Sequence, residues 1–265
     1  MASSAFNPTA DEADSLFGSN DDTSDDDNPA AAPPLAVAPP RIRIPPADHP
    51  IWGTGGIMNG IALNRSGRQQ YNPELLDQKR DHKKFGHNRI AVGQWFANQL
   101  VACWHGAHGA PVAGISGSQD HGAYSIVISG RYDANGLDSD QGDDIIYTSD
   151  GALLDPDPVL GNPRSSKTKS LVRSITTRKP VRVLRSRAKG TTVSQWAPRV
   201  GIRYDGLYRV TAVENTTNSQ NRPIDRFTLT RLTSQVVNPL SLAQIQSRSP
   251  SRRQRNDYDR IKEGY

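Results

Sequence analysis

Apolar and polar positions change rhythm near Pro111. Up to that point the spacing is helical; beyond it, short runs alternate. Tyr124–Ser129 places apolar and small polar residues on alternate positions, the period of a half-buried strand. The same reading gives strands at Ala123–Ser129, Ile145–Thr148, Val181–Leu184, Leu207–Val213 and Arg226–Leu232, each short and punctuated by Gly, Asn or Pro. Short, scattered strands of this kind point to a sandwich or barrel. One helix interrupts them at Ser165–Ile175, where Leu171, Val172 and Ile175 share a face. Upstream, Asn72-Pro73-Glu74 supplies a cap, a first-turn proline and an acid, predicting a helix to about Lys84 with a basic end. Val92, Trp95, Phe96 and Val101 approximate a second helical stripe over Ile90–Cys103, with Trp95 in the core. The class is therefore α+β: a twisted, partly closed barrel or sandwich of short strands with flanking helices.

The ends lack this patterning. Residues 1–47 are rich in Ser, Asp, Ala and Pro, with too little apolar surface to offset the entropy of ordering. They read as a disordered tail, stiffened by proline over Asn28–Pro46. Residues 48–235 form the domain, and 236–265 a basic, flexible tail. Gly53–Gly60 is glycine-rich but lacks the Gly-Lys-Ser/Thr ending of a phosphate loop and reads as tight turns.

Charge is segregated. Residues 1–40 carry eight acidic residues and no Lys or Arg, leaving 19 acidic against 32 basic residues in 41–265, a surplus of 13. A basic body suits a polyanionic partner. The single cysteine, Cys103, excludes a disulfide framework and a cysteine-based zinc cluster, and sits in an apolar pattern as a buried thiol. No apolar run approaches the ~18 residues of a membrane span, so no membrane partner is expected, and the N-terminus lacks a signal-peptide pattern. A reduced compartment follows, and the partner argued below places the chain in the nucleus. His82, His87, His105, His108 and His121 form no metal-ligating motif, although His105 and His108 lie three apart. No cofactor, metal or catalytic residue is expected.

The informative stretch is Gly122–Thr148. A strand ends at Ser129, a loop crowded with Asp, Asn and Gly follows, and Ile145–Thr148 resumes the sheet. Tyr132 lies at one lip of that loop and Tyr147 at the other. Two rings across a gap can hold a flat base, with stacking worth ~1–3 kcal/mol. Reading cytosine takes an acceptor for its amino group and donors for N3 and O2. An aspartate supplies the first; main-chain N–H groups at the strand end, near Gly130–Tyr132, can supply the others, with Ser129, Gly130 and Arg131 lining the pocket there. Burying a 5-methyl group adds about 0.8 kcal/mol, roughly fourfold in affinity. The alternative is that both tyrosines are ordinary cross-strand residues.

Five ordered pieces carry a resemblance: PVAGISG (Pro111–Gly117), GAYSIV (Gly122–Val127), YTSDG (Tyr147–Gly151), KPVRVLRS (Lys179–Ser186) and GIRYDGLYRV (Gly201–Val210). Together they resemble the SRA domain, also called the YDG domain, whose name-giving triplet is Tyr204-Asp205-Gly206. FGHN (Phe85–Asn88) and VGQW (Val92–Trp95) look like its fungal branch. The resemblance implies an SRA-like, PUA-like fold and a reader that flips 5-methylcytosine out of duplex DNA, in CpG, with hemimethylated sites among the candidates. Tyr132 and Tyr147 would sandwich the base and Thr148 would bond it from the wall. The family's base-reading Asp lies three residues past the first Tyr, which here is Asn135; counting back from Asp140-Gln141-Gly142 gives Asp138 with a three-residue insertion. Asp138 is the expected reader, with Asn135 and Asp133 as alternatives. Val112 matches the thumb residue that enters from the minor groove. Arg164, with Asn162, lies where the family's major-groove finger sits, and an Arg there can bond guanine bidentately. Arg131 stands where many relatives have Gly.

Arg185, Arg187 and Lys189 alternate along and beyond a strand and are expected to contact phosphate together. Too few residues follow Arg231 for a nuclease domain, so the expectation is a non-enzymatic reader of methylated duplex DNA. The alternative is a chromatin interaction module binding histone tails or other basic proteins through the acidic loop or N-terminal tail.

Overall fold

The computed structural model describes residues 42–129, 137–149, 164–187, 194–218, 221 and 223–265. The chain divides into Met1–Pro39 and Pro40–Tyr265, and all described residues belong to the second unit. Its strands are β1 Ile61–Leu63, β2 Gln69–Tyr71, β3 Trp95–Phe96, β4 Ile115–Ser118, β5 Gly122–Ile128, β6 Ser139–Asp140, β7 Asp144–Thr148, β8 Val181–Ser186, β9 Ile202–Thr217 and β10 Pro223–Arg231. Its α-helices are α1 Gln99–Trp104, α2 Ser166–Thr177, α3 Leu242–Arg248 and α4 Arg252–Asp259.

β1 and β2 pair alone. The other strands form one mixed sheet in the order β4-β5-β8-β9-β10-β7-β6, with β3 added to β9. Only β5 and β8 run parallel, and α2 makes the crossover between them. The α+β class is observed. Among the described residues β4 and β6 end the sheet without pairing to each other, so no closed barrel forms.

The sheet separates two apolar clusters by strand alternation. Val127 and Leu184 face a cluster built on Trp52, Trp95, Phe96 and Trp104. Ile126, Ile128, Val181 and Val183 face the other, with Tyr147, Leu171, Tyr208 and Phe227. Covered on both faces, β8 has five consecutive buried residues, and two of them are arginines. Arg182 donates to the carbonyls of His82, Gly86 and Ala107, and burial lowers its pKa to about 10. Arg185 points to the opposite face, with 1% of its side chain exposed. It grips Asp140 bidentately at 2.7 and 2.8 Å and Asp205 at 2.9 Å. Arg203 holds the same Asp205 with Nε and Nη2. The tyrosine-aspartate-glycine triplet thus lies inside the domain, its carboxylate caught between two guanidinium groups.

β5, β7, β8, β9 and β10 fall where alternation placed strands, although β9 extends well beyond Leu207–Val213 and β1, β2, β4 and β6 lie outside the expected strands; α2 matches the helix expected from Ser165, which caps it. The predicted helices upstream shorten. Asn72 caps a turn of 3-10 helix, Pro73–Gln78, rather than a helix to Lys84. Over Ile90–Cys103, Trp95 and Phe96 are strand β3 and only α1 is helical. The stripe there reflects burial against β9 rather than a helix face, since short apolar runs do not distinguish the two. Trp95 and Cys103 are buried as expected, and burial pushes the Cys103 thiol up to about 12.

The described end segments carry more structure than expected. Arg43 bridges Leu63 in an antiparallel pair, so residues 42–47 belong to the folded body; residues 1–41 lie outside the described residues. Residues 236–265 form α3, α4 and a closing 3-10 turn instead of a flexible tail. Each α-helix opens on a capping box, Ser241/Gln244 and Ser251/Gln254. Leu242 and Ile245 are buried, and Tyr265 packs edge-on against Trp52. Composition concealed this because the helices are basic outside and dock through few apolar residues. Among the described residues no helix is long and apolar enough to cross a membrane.

Asp205→Ala leaves two buried guanidinium groups short of a carboxylate. The expected loss is about 3–5 kcal/mol in urea unfolding, with aggregation on expression as the alternative readout. An unchanged midpoint would show that the pairing contributes nothing to the fold.

Candidate nucleic-acid interface

The site is built from the C-terminal end of β7, the segment 137–142 and the loop before β4. β7 pairs with β10 in register Tyr147↔Phe227 and Thr148↔Arg226, which fixes the ends of both side chains. Asp138 Oδ1 accepts from the Thr148 N–H at 2.7 Å. Thr148 Oγ1 donates to the Leu137 carbonyl at 3.0 Å. The carboxylate therefore sits beside the Tyr147–Thr148 strand end.

Two residues on, the chain is anchored hard. Asp140 holds Arg185 and accepts from Ser194 Oγ at 2.7 Å. Burial opposes its ionised form, but bonds from Arg185 and Ser194 hold its carboxyl below the usual range. Gly142 has φ +91°, and a Cβ there would lie 2.7 Å from Trp196, so the turn requires glycine. Its carbonyl accepts from both Arg185 and Tyr208.

The second wall is the loop Pro111–Gly114. A Cβ on Gly114 would lie 2.4 Å from the Tyr147 hydroxyl, so loop and ring are in direct contact. Val127 N–H donates to the Gly114 carbonyl at 2.7 Å. His108, fully buried, bonds the Ala113 carbonyl through Nε2 and Ser125 Oγ through Nδ1, both at 2.8 Å. A carbonyl only accepts, so Nε2 carries the proton and Nδ1 takes the serine hydroxyl. Val112 is 89% exposed at the tip.

The SAD/SRA domain profile matches residues 84–235, more than half of the chain. The chain belongs to the SAD/SRA domain family. It is 38% identical over 143 residues to a UHRF1-like protein of Cryptococcus neoformans, covering 48% of this chain and 40% of that one. It is 35% identical over 132 residues to the E3 ubiquitin-protein ligase ORTHRUS 2 of Arabidopsis thaliana, covering 46% and 19%. The chain thus spans 40% or less of these two relatives. Among solved structures, a modification-dependent TagI restriction endonuclease is 32% identical with a TM-score of 0.49, covering 59% of this chain and 55% of that one. The SUVH5 SRA domain in complex with hemimethylated CG DNA is 28% identical with a TM-score of 0.44, covering 55% and 91%.

Within this SAD/SRA domain the structure brings Asp138 to the Tyr147–Thr148 strand end, and the loop that carries Val112 reaches Tyr147 through Gly114. Ser129 is described at the end of β5 and is half-buried. Gly130, Arg131, Tyr132, Asp133, Asn135, Asn162 and Lys189 lie outside the described residues. Thr148 is buried and its hydroxyl already serves Leu137. Arg164 is ion-paired to Asp225 through Nε at 2.6 Å and Nη2 at 3.1 Å. In this state its fork faces a carboxylate rather than outward, and the pair raises its pKa. Arg185 is corrected outright. It cannot reach phosphate, because its strand is covered on both faces and its charge is consumed by Asp140 and Asp205. Arg187, one turn of alternation later, is exposed.

Sequence reasoning missed Arg203, Ser194, Trp196 and Gln99, all of which act from a distance in the chain. A run of alternating arginines looks the same whether it faces water or buried carboxylates. Among the described residues no group of three His, Cys, Asp or Glu side chains is placed to hold a metal ion.

Two outcomes test this geometry. Gly114→Ala should cost about 1–3 kcal/mol by overpacking against the Tyr147 hydroxyl, and adding Tyr147→Phe should restore most of the loss in thermal melts. The second concerns acid. Burial lowers His108 to about 4, with Arg182, His82 and Lys167 adding to it against the Ala113 bond, and also lowers His82, His87 and His105. The unfolded chain then binds more protons below pH 6.5, so stability is complete above that pH and falls as pH drops toward 4. Urea midpoints between pH 7 and 4.5 should show this decline, and His108→Gln should make it shallower.

Proposed function

We propose that this SAD/SRA domain is a non-enzymatic reader of modified DNA that takes 5-methylcytosine, flipped from a duplex, into the pocket between Tyr132 and Tyr147. The observation that carries the reading is the Asp138–Thr148 bond. It holds one carboxylate at the Tyr147–Thr148 strand end, which supports Asp138 as the acceptor for an exocyclic amino group. Asp138 is the base reader. Asp140, two residues on and clamped to Arg185, fixes where the Asp138 carboxylate arrives. Main-chain N–H groups near Ser129, Gly130 and Arg131 are the proposed donors to the other pyrimidine atoms. Val112 fills the stack the base leaves.

The basic body supplies the sequence-independent part of the affinity, with Arg187 and Lys189 contributing to phosphate. Arg164 reads the orphaned guanine after exchanging Asp225 for the base edge, with Asn162 beside it. A paired arginine makes that exchange costly, so CpG context contributes less than the methyl-bearing base itself. Such a reader works in the nucleus on chromatin. The ubiquitin-ligase names of its relatives describe proteins of which this chain spans a minor part.

The test is a fluorescence titration with duplexes differing only at one cytosine. The wild-type chain should prefer the methylated duplex. Asp138→Ala should bring that preference near unity, a loss of about 1.5–3 kcal/mol for a bond to a charged group, and Asp138→Asn should keep part of it. Binding of all three should weaken with salt, log K falling by about 0.9 per phosphate contact for each tenfold rise. Full preference in Asp138→Ala would refute the assignment, and displacement of methylated DNA by a histone peptide would favour the interaction-module reading.

A further inference from the structure

An exposed valine on a loop is ordinarily mobile, and a mobile wedge is a poor one. Ordering it on contact with DNA takes conformational entropy from the binding free energy. The loop that carries Val112 is not built that way. Its carbonyls at Ala110, Ala113 and Gly114 are all taken by donors from the body of the domain. The Gln99 side-chain amide donates to Ala110 at 2.7 Å and to Ala113 at 2.8 Å. His108 Nε2 donates to the same Ala113 oxygen at 2.8 Å, so both of its lone pairs are engaged. Gln99 opens α1, which Asn98 caps, and His108 is fixed by Ser125 on β5. Pro111 restricts the remaining backbone. The only large apolar side chain the loop offers outward is Val112, and the loop's far end touches the Tyr147 ring.

We infer that Gln99 and His108 are positioning residues that hold Val112 as a preformed wedge at a fixed distance from Tyr147, so that stack filling and base capture are set by one rigid unit. This rests on the reader function proposed above. Neither residue touches DNA. Each acts through the Ala113 carbonyl, and the consequence is confined to steps in which a base pair has to be opened.

The experiment is a double-variant cycle on the full chain with Gln99→Leu and Val112→Gly, read by the same titration. Val112 projects into solvent, so Val112→Gly leaves the fold intact whatever Gln99→Leu does to it. Two duplexes are used. In one the methylcytosine is paired with guanine; in the other it faces an abasic site, where no pair has to be broken and no orphan base displaced. Gln99→Leu should weaken binding to the paired duplex about tenfold, the worth of two ordinary hydrogen bonds, and to the abasic duplex about twofold or less. In the Val112→Gly background Gln99→Leu should cost almost nothing further on the paired duplex, because the wedge it positions is gone. In thermal melts the same pair should be additive. Equal losses on both duplexes, additive losses on the paired one, or no loss would overturn the inference. A wild-type chain that shows no preference for the methylated duplex would instead overturn the reader function, so the two failures are distinguishable.

Discussion

Four side chains, Asp140, Arg185, Asp205 and Arg203, form a buried chain of alternating charge across β6, β8 and β9. Two carboxylates and two guanidinium groups sum to zero, and the bonds run through the fork atoms that suit Arg to carboxylate. Burial works against Arg185's charge, yet the two carboxylates hold it firmly protonated. Such an arrangement contributes little net stability compared with an apolar core of the same size, but removal of one member strands the rest. Its consequence here is registration. β6 is two residues long and could slide on β7; Asp140 clamped to Arg185 fixes it, and with it Asp138.

That constraint holds Asp138 from its downstream side, two residues before the clamped Asp140. Trp196 and Leu242 close over Gly142 from two other regions of the chain, and Arg203 reaches the Ser249 carbonyl. Leu242, beyond the matched family profile, thus packs against the turn at Gly142, although it lies far from it in sequence.

The same economy appears on the opposite wall. A glycine at 114 permits contact between loop and ring, and a histidine held neutral by burial gives a donor of fixed direction. Histidine suits this position because both ring nitrogens are used, one donating and one accepting. The loop at Gly114 and the end of β7 meet at the Tyr147 hydroxyl.

Alternation along Tyr124–Ser129, Ile145–Thr148 and Val181–Leu184 was enough to read the strands, since a two-residue period has one physical meaning when turns bound it. Ser165 and the spacing of Leu171, Val172 and Ile175 were enough to read α2. The motif-bearing pieces were enough to name the family and to bring Asp138, Tyr147 and Val112 forward as candidates. Other features were decided only in three dimensions. Arg182 and Arg185 read as a basic strand face because nothing local reports that β8 is covered on both sides. Ser247–Tyr265 read as a tail because its helices are held by caps and a few buried contacts rather than by an apolar stripe. Ionic partners 20 to 45 residues apart, such as Arg185 with Asp205 and with Asp140, leave no periodic trace. Local sequence fixes which backbone shape is cheap; which charge ends up buried depends on what the folded chain places opposite it.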